Sequence, residues 1–295
     1  MIIDFVNYAI NGALLGLLYA LIAMGFVVIY RASKVFNFAQ GELVVLGGFL
    51  TWWMVISMGL PMLIGIPLAF VLSAVIGLAI ERIFFSRLVG ESVFAMVMVT
   101  IGLLVLLRGV VLLAFGPQVR PFPIVFPLQP VVVGELMVPT NLLVGGALTV
   151  LAAVGMSWFF NRTRPGLTMT AVAEDHQVAL SMGISVKRSI ALAWVLGCLL
   201  STLGALIFLS GKSLNFLASE IGFAALPVAL LAGLESIGGL LLAGIIVGVI
   251  QGLATAYLDP WVGGAVGAVL PFAIMLLILL VKPTGLFGWR TIERV

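Results

Sequence analysis

The fold class is decided by stretches such as residues 92–115, which read SVFAMVMVTIGLLVLLRGVVLLAF. Arg108 is the single charged residue in this run. A helix needs about 20 apolar residues to cross the hydrocarbon core of a bilayer, whereas a barrel strand alternates apolar and polar residues over about ten positions. The continuous run therefore predicts a transmembrane helix.

The whole chain has the same character as this stretch. Of its 295 residues 63% are hydrophobic and 8% are charged, whereas a soluble domain is about 25% charged. So few charged side chains could not cover the apolar surface in water, which excludes an ordinary soluble domain. The net charge of +3 lies mainly between apolar runs, so no basic face is left for a nucleic acid. The single cysteine, Cys198, excludes an intrachain disulfide and argues against a cysteine metal site.

Nine apolar runs predict an all-α integral membrane protein, a polytopic bundle of about 8–9 transmembrane helices in a single domain, residues 1–295. The predicted spans are residues 5–30, 39–58, 62–81, 92–115, 140–160, 189–210, 221–234, 240–257 and 261–281. At 1.5 Å per residue the run 221–234 reaches only about 21 Å. It is either a short crossing buried in protein or half of a broken helix, a feature typical of transport paths.

The basic residues predict the orientation. An N-terminus outside and a C-terminus in the cytoplasm place 11 of the 14 basic residues inside, in agreement with the positive-inside tendency. These residues are Arg31, Lys34, Arg82, Arg87, Arg162, Arg164, Lys187, Arg188, Lys282, Arg290 and Arg294. Residues 161–188 then form a cytoplasmic loop, and the proline-rich residues 116–139 form a periplasmic loop.

Two stretches resemble each other. Residues 34–42 read KVFNFAQGE and residues 212–220 read KSLNFLASE, with Lys, Asn, Phe and Glu at the same spacing. The spans before them are five apart, so the two copies would face opposite sides of the membrane. This pattern predicts an inverted-topology repeat, an arrangement in which transporters bind substrate near the midplane. Coincidence in a chain of low complexity is the alternative.

No group of residues predicts catalysis. His176 has no second histidine or cysteine near it in sequence, so neither a metal site nor a nucleophile with its base is expected. Residues 210–213, SGKS, resemble the end of a phosphate-binding loop, but Leu206 replaces the glycine that the motif requires. We expect that the chain is not an enzyme, holds no metal and does not hydrolyse ATP.

Ionisable residues within apolar runs are candidates for function because they are costly in lipid. Glu42 lies close to a predicted helix end, where pairing or snorkelling near the interface would explain it. Arg108 lies deeper, and it either lines a pathway or reaches the outer interface through its long side chain. No series of buried Asp, Glu and His of the kind used in proton relays is present, which argues against an ion-coupled carrier.

Glycines recur at a spacing of four residues, at 244, 248 and 252, at 12 and 16, and at 263 and 267. Small residues on one helix face let helix backbones approach closely in lipid. They predict helix packing within the chain or an interface between subunits.

The loop 161–188 contains a predicted helix from Leu167 to Met182, which Gly183 would end. The apolar positions Ala171, Val172, Val178, Ala179 and Met182 give it a partly apolar face. Such a helix lies on lipid or docks in the groove of a partner. The acidic residues at 174 and 175 favour a protein partner, because anionic lipid would repel them.

Taken together, these stretches resemble the permeases of bacterial branched-chain amino acid ABC importers of the Liv type, nearly from end to end. The matching residues are 11–21, 35–42 (VFNFAQGE), 164–184, 238–248 and 282–288 (KPTGLFG). The family often has histidine where this chain has Gln40. The resemblance implies a multi-pass permease in the bacterial inner membrane.

The resemblance also implies partners and roles for residues. It implies a second, homologous permease subunit, two cytoplasmic ATPase subunits that hold the ATP and Mg, and a periplasmic or lipid-anchored substrate-binding protein. The substrate path would involve Asn37, Phe38, Gln40, Glu42 and Arg108. The ATPase coupling residues would be Gly166, Ala173, Glu174, Asp175, Ala179, Met182, Gly183 and Ile184.

Alternatives remain at two levels. Members of the same family are associated with urea, amides and aromatic acids as well as with branched-chain amino acids. An ion-coupled secondary carrier is a different class that the helix count and repeat also permit.

Overall fold

The computed structural model describes residues 2–88, 91–127, 129–174 and 176–288. The helices are α1 (Ile2–Ser33), α2 (Gln40–Trp52), α3 (Met62–Ile83), α4 (Val93–Phe115), α5 (Thr140–Arg162), α6 (Arg164–Glu174), α7 (His176–Ser181), α8 (Val186–Leu209), α9 (Glu220–Ala232), α10 (Ile237–Tyr257), α11 (Asp259–Val262) and α12 (Val266–Val281). A π-helical segment, Trp53–Ser57, extends α2, and 3-10 turns lie at Phe85–Arg87 and Phe216–Ser219. Four short strands are β1 (Arg120–Pro121), β2 (Val131–Val133), β3 (Leu136–Val138) and β4 (Ser213–Leu214).

Within the described residues, seven helices are long and apolar enough to cross a membrane, namely α1, α2 with its π-helical extension, α3, α4, α5, α8 and α10. Two shorter apolar segments, Phe216–Ala232 and Val266–Val281, accompany them. Together they overlap the nine predicted runs, with bounds that differ by up to six residues. The prediction of a polytopic, all-α membrane protein is confirmed.

Helix α1 lies at the centre of the bundle. Its residues 18–29 are all buried, and it packs against α5, α8, α9 and α10. A helix that is apolar on every side is stable only where protein or lipid surrounds it completely. By contrast, α3, α4 and α5 bury less than a third of their most apolar window and form the outer face of the chain.

The recurring glycines form the contact between α1 and α10. A Cβ placed on Gly244 would lie 2.5 Å from the carbonyl oxygen of Gly16, and Gly12 and Gly248 approach each other in the same way. These distances leave no room for any side chain, so the two backbones touch. The alternation of glycines at 12, 16, 244 and 248 thus serves helix packing within the chain.

The two halves of the bundle have equivalent pairs of helices in contact. Helix α1 packs on α10, and α8 packs on α3 in the corresponding way, where a Cβ on Gly77 would lie 2.8 Å from the carbonyl oxygen of Trp194. The contact of α2 with α8 has its counterpart in the contact of α9 with α1. The contact of α4 with α2 has its counterpart in the contact of α12 with α9. Helices α1, α2, α3 and α4 therefore correspond to α8, α9, α10 and α12.

Helix α2 begins inside the bundle, not at its edge. Residues 34–39 run back along α1, and the Gln40 side chain reaches the backbone carbonyl of Ile22, near the middle of that helix, at 3.4 Å. The span predicted from residue 39 agrees with the start of α2 to within one residue, and Glu42, for which pairing or snorkelling near the interface was predicted, is paired with Arg108. A non-helical return inside the bundle is possible because buried side chains bind its polar groups.

The proline-rich loop 116–139 covers the corresponding return of the second half. Strand β1 pairs antiparallel with β4, and the backbone amide of Phe122 donates to the carbonyl of Lys212 at 3.0 Å. Strands β2 and β3 form a hairpin. The loop is therefore a folded cap on residues 210–215.

In the loop 161–188 the described residues are helical on both sides of residue 175, as α6 and α7, which agrees with the predicted helix from Leu167 to Met182 up to Ser181. Helix α6 begins earlier, at Arg164, because the Thr163 hydroxyl accepts a hydrogen bond from the Gly166 amide at 3.2 Å. Helix α7 ends at Ser181, and residue 175 lies outside the described residues.

Gly183 follows α7 with a positive φ of 77°. The amide of Ile184 donates to the carbonyl of Ala179 at 2.9 Å, and the Gly183 amide to the carbonyl of Leu180 at 3.0 Å. This is the hydrogen-bond pattern of a Schellman motif, so the prediction that Gly183 ends the helix is confirmed.

Candidate functional site

The N-terminal ends of α2 and α9 meet inside the bundle. A Cβ on Gly222 would lie 2.5 Å from the Cα of Gly41, and a Cβ on Gly41 would overlap the carbonyl oxygen of Ser219. Positions 41 and 219 correspond in the two similar stretches, so the copies touch at equivalent residues. We call this contact the junction. The first turns of both helices carry a glutamate, Glu42 and Glu220, which complements the partial positive charge of a helix N-terminus.

An ion pair crosses the junction. The Arg108 guanidinium lies 2.7 Å from Glu42 Oε1, and the same Nη2 donates to the Ser219 hydroxyl at 2.7 Å. The Glu42 side chain is 3% exposed, whereas that of Arg108 is 48% exposed. The pair therefore joins α4, the start of α2 and the turn before α9.

The two interpretations of Arg108 stay predictions. Its guanidinium is bound to Glu42 and Ser219, on α2 and before α9. A half-exposed guanidinium within a span is costly against hydrocarbon. The exposed side of Arg108 is therefore suited to contact with water or protein.

Two further site residues, Asn37 and Gln40, form a buried network. Both are fully buried. Asn37 accepts from the Ala39 amide at 3.1 Å and donates to Gln40 Oε1 at 3.3 Å. Gln40 Nε2 donates to the Ser201 hydroxyl of α8 at 2.9 Å. These side chains hold the return segment in place and tie it to the second half of the bundle.

Phe38 belongs to an aromatic cluster beside the ion pair. The rings of Phe26 and Phe36 stack at 4.7 Å between centroids, and Phe36 meets Phe38 edge-on at 5.1 Å. The cluster lines a pocket together with Gly41, Glu42, Leu104, Ser219, Gly222, Phe223 and Leu226. The pocket offers about 10 Å³ to the centres of water molecules, which is room for about one water.

The structure thus brings all five predicted path residues to one region. Phe38 and Glu42 line the pocket. Arg108 contacts the lining residues Glu42 and Ser219, and Asn37 is hydrogen-bonded to Gln40, next to the lining residue Gly41. The sequence analysis missed Ser219 and Ser201. Ser219 could have been found from the repeat, because it occupies the position of Gly41. No signal in the sequence points to Ser201, whose role depends on the packing of α8.

The predicted coupling residues divide into buried and exposed groups. Gly166, Ala173 and Ala179 are buried, Ile184 is half-buried, and Glu174, Met182 and Gly183 are exposed. Asp175 lies outside the described residues. Of the predicted apolar face, Val172 and Ala179 are buried while Ala171, Val178 and Met182 are exposed. The buried members attach the loop to the bundle and the exposed members leave an apolar surface, together with Leu167 and Leu180.

Arg31 connects this loop to the central helix. Its guanidinium donates to the Thr170 hydroxyl of α6 at 3.3 Å and lies 4.1 Å from the ring centroid of Phe160 in α5. Gly166 permits the approach, since a Cβ there would lie 2.7 Å from the Cα of Phe160. The sequence analysis used Arg31 for topology alone and missed this contact, which joins α6 to the helix that contacts the junction.

Comparison with known proteins identifies the family. Residues 8–279 match the family model described as the branched-chain amino acid transport system / permease component. This match covers nearly the whole bundle, including both similar stretches.

Individual relatives match over the same extent. The chain is 29% identical to the high-affinity branched-chain amino acid transport system permease protein LivH of Escherichia coli K12, over 99% of this chain and 98% of the relative. It is 28% identical to BraD of Pseudomonas aeruginosa, over 100% and 99%. It is 25% identical to a probable LivH of Methanocaldococcus jannaschii, over 94% and 91%. The chain therefore belongs to the family of branched-chain amino acid transport system permease components, as an ABC-importer permease subunit of the inner membrane.

Proposed function

We propose that this chain forms the translocation path for branched-chain amino acids in an ATP-driven importer, with the path passing the junction. The observation that carries this proposal is the ion pair of the buried Glu42 and the half-exposed Arg108 between the two halves of the bundle, in a chain that matches the family over residues 8–279. ATP and Mg would be held by partner ATPase subunits. Urea, amides and aromatic acids stay as alternative substrates.

The topology proposed is an inverted repeat with nine crossings, an N-terminus outside and a C-terminus in the cytoplasm. The repeat is supported by the equivalent contacts that α1–α4 form in the first half and α8, α9, α10 and α12 form in the second half. The positive-inside distribution supports the orientation. Helices α2 and α9 start at the junction and leave in opposite directions, so each would serve one half of the membrane.

The proposed ATPase contact is the exposed apolar surface of the loop 161–188. Leu167, Val178, Leu180 and Met182 are each more than half exposed, which is unfavourable in water and typical of an interface. A motion of α6 would reach α1 through Arg31 and Thr170, and α1 contacts Gln40 at the junction. The outer face, with the cap formed by residues 116–139 and the 91%-exposed Trp261, would meet the substrate-binding protein.

The second permease subunit would cover the outer face of α4. This helix is mostly exposed and carries the open side of Arg108. A homologous partner on this face would complete a path that one chain leaves half open.

The test is purification and reconstitution of the complete importer with a matched pair of variants. Met182→Glu should weaken retention of the ATPase subunits by about tenfold or more, because it puts a charge into an apolar interface. Met137→Glu changes an exposed methionine on the opposite loop and should leave retention unchanged. Retention of the ATPases and ATP-dependent leucine uptake into proteoliposomes are measured.

Three results would contradict the proposal. Loss of the ATPases with Met137→Glu but not with Met182→Glu would reverse the orientation. Uptake by the permease without any ATPase would reject the importer class. Uptake of urea, an amide or an aromatic acid without leucine uptake would reject the substrate.

A further inference from the structure

The Glu42 carboxylate has one oxygen that is bound and one that is not. Oε1 lies 2.7 Å from Nη2 of Arg108, whereas Oε2 is buried without a hydrogen-bond partner among the described residues. The Ser219 hydroxyl interacts with the same carboxylate and also donates to the carbonyl of Phe216 at 2.9 Å, so its single proton is shared between two acceptors. An unsatisfied buried acceptor is costly, so Oε2 is suited to a donor brought by a ligand.

Arg108 has the complementary property. Of its five N–H donors, the structure shows bonds only from Nη2, to Glu42 and Ser219. Nearly half of its side chain is exposed. The planar guanidinium is well matched to a carboxylate, which it binds through two parallel hydrogen bonds.

The third component is apolar. The pocket next to Glu42 is walled by the rings of Phe26, Phe36, Phe38 and Phe223 and by two leucines, Leu104 and Leu226. An acceptor for an ammonium group, a donor for a carboxylate and an apolar wall therefore converge at the junction. These are the three chemical features of a zwitterionic amino acid with an aliphatic side chain.

We propose that Glu42 and Arg108 bind the two charges of an α-amino acid, with the ammonium group on Glu42 and the carboxylate on Arg108, while the aliphatic side chain lies on the aromatic wall. This inference rests on the proposed function and adds the residues that recognise the substrate. In the present conformation the two side chains neutralise each other and the pocket has room for about one water. Binding therefore requires the pair to separate, with each charge exchanging its partner for a group of the ligand.

The first test needs no variant. Saturation-transfer NMR on the complete importer in nanodiscs, without the substrate-binding protein, compares leucine, leucinamide and 2-hydroxy-4-methylpentanoate. Leucinamide lacks the carboxylate and the hydroxy acid lacks the ammonium group. Leucine should bind about tenfold or more tightly than either, since each analogue loses one charge-assisted contact. Equal binding of the three compounds would overturn the proposal.

The second test assigns each charge to its residue. Glu42→Gln should weaken leucine binding by about tenfold or more and leave the hydroxy acid unchanged. Arg108→Gln should weaken leucine and leave leucinamide unchanged. The matched control is Glu220→Gln, at the corresponding position of the second copy, where the side chain is exposed and is not among those that line the pocket; all three compounds should bind as before.

The outcomes separate a binding role from a structural one. If Glu42→Gln weakens the binding of leucine and of the hydroxy acid by the same factor, the ion pair only stabilises the junction and the proposal is overturned. If the wild-type importer takes up no leucine with ATP, the proposed function itself fails. If it takes up leucine but does not distinguish the analogues, only the present inference fails.

Discussion

Residues 34–42 and 212–220 have similar sequences, yet the folded protein uses them differently. In the first copy Asn37, Gln40 and Glu42 are all buried; Asn37 is bound to Ala39 and Gln40 of the same stretch, while Gln40 and Glu42 are bound to α8 and α4. In the second copy Asn215 is half-buried and Glu220 is exposed, and neither side chain forms a hydrogen bond or ion pair within the described part of the chain. The buried amide and carboxylate side chains therefore lie in the first copy, at positions whose counterparts Asn215 and Glu220 form no such contacts among the described residues.

The difference shows that two stretches of similar sequence can have side chains with different contacts. Both copies keep what the junction needs, namely a return segment and a helix that starts inside the bundle. The first copy adds the acidic group, and the second supplies the Ser219 hydroxyl that helps to hold Arg108. Similarity of sequence therefore reports the shared backbone, while the roles of the side chains depend on what each copy packs against.

The largest effect should come from filling the contact between the copies. Gly41→Val places a branched side chain against the backbone of Ser219, which cannot yield as a flexible side chain would. We expect a loss of about 3 kcal/mol or more in stability, measured as a lower melting temperature of the purified permease. The control is Gly155→Val in α5, where nothing lies within 4 Å of an added Cβ. Equal melting temperatures for the two variants would contradict the close approach.

A smaller loss of stability should distinguish replacement of Asn37 from replacement of Asn215. Asn37→Ala leaves the Ala39 amide and Gln40 Oε1 without a partner, and a buried unsatisfied group costs about 1–3 kcal/mol. Asn215→Ala removes no side-chain hydrogen bond that the structure describes, so we expect less than about 0.5 kcal/mol. Melting temperatures of both variants provide the comparison. If Asn215→Ala is the more damaging, the asymmetry between the copies is wrong.

The smallest effect should be the difference between Lys34 and Lys212 in their coupling energy with Glu235. Lys34 pairs with Glu235 at 2.8 Å, and both side chains are about a third exposed, at 32% and 33%. Lys212 instead lies 4.3 Å from the ring centroid of Phe208. A double-mutant cycle of Lys34→Ala and Glu235→Ala should give a coupling of less than about 1 kcal/mol that decreases with salt. The same cycle with Lys212→Ala and Glu235→Ala should give none; coupling there would show that the second lysine also reaches this side.

The sequence predicted the helices well because an apolar run of sufficient length is a strong signal in a membrane protein. It also placed Gly183 at a helix end. It placed the start of α2 to within one residue but not its depth in the bundle, since a short break between apolar runs does not show whether the chain turns at the surface or inside the bundle. It could not separate Val172 from Val178 either, because which side of a short helix is buried depends on contacts from α1 and α5.

For the candidate site, the repeat and the rarity of charges led to Glu42 and Arg108, but not to their contact. The two residues are 66 positions apart, and they meet because α4 packs on α2. The choice of Ser219 and Ser201 as partners depends equally on the packing of distant helices. Sequence patterns identified which residues are costly to bury, and the fold showed what offsets that cost.

Residues 282–288 close the break between α9 and α10 by backbone contacts. The Leu286 amide donates to the carbonyl of Leu231 at 2.7 Å, and a Cβ on Gly233 would lie 2.5 Å from the amide nitrogen of Gly288. A fusion partner or affinity tag joined directly after Phe287 would therefore disturb these backbone contacts, which lie next to Glu235 in the sequence. Purification handles are better attached at the opposite end of the chain, where the first turns of α1 are exposed.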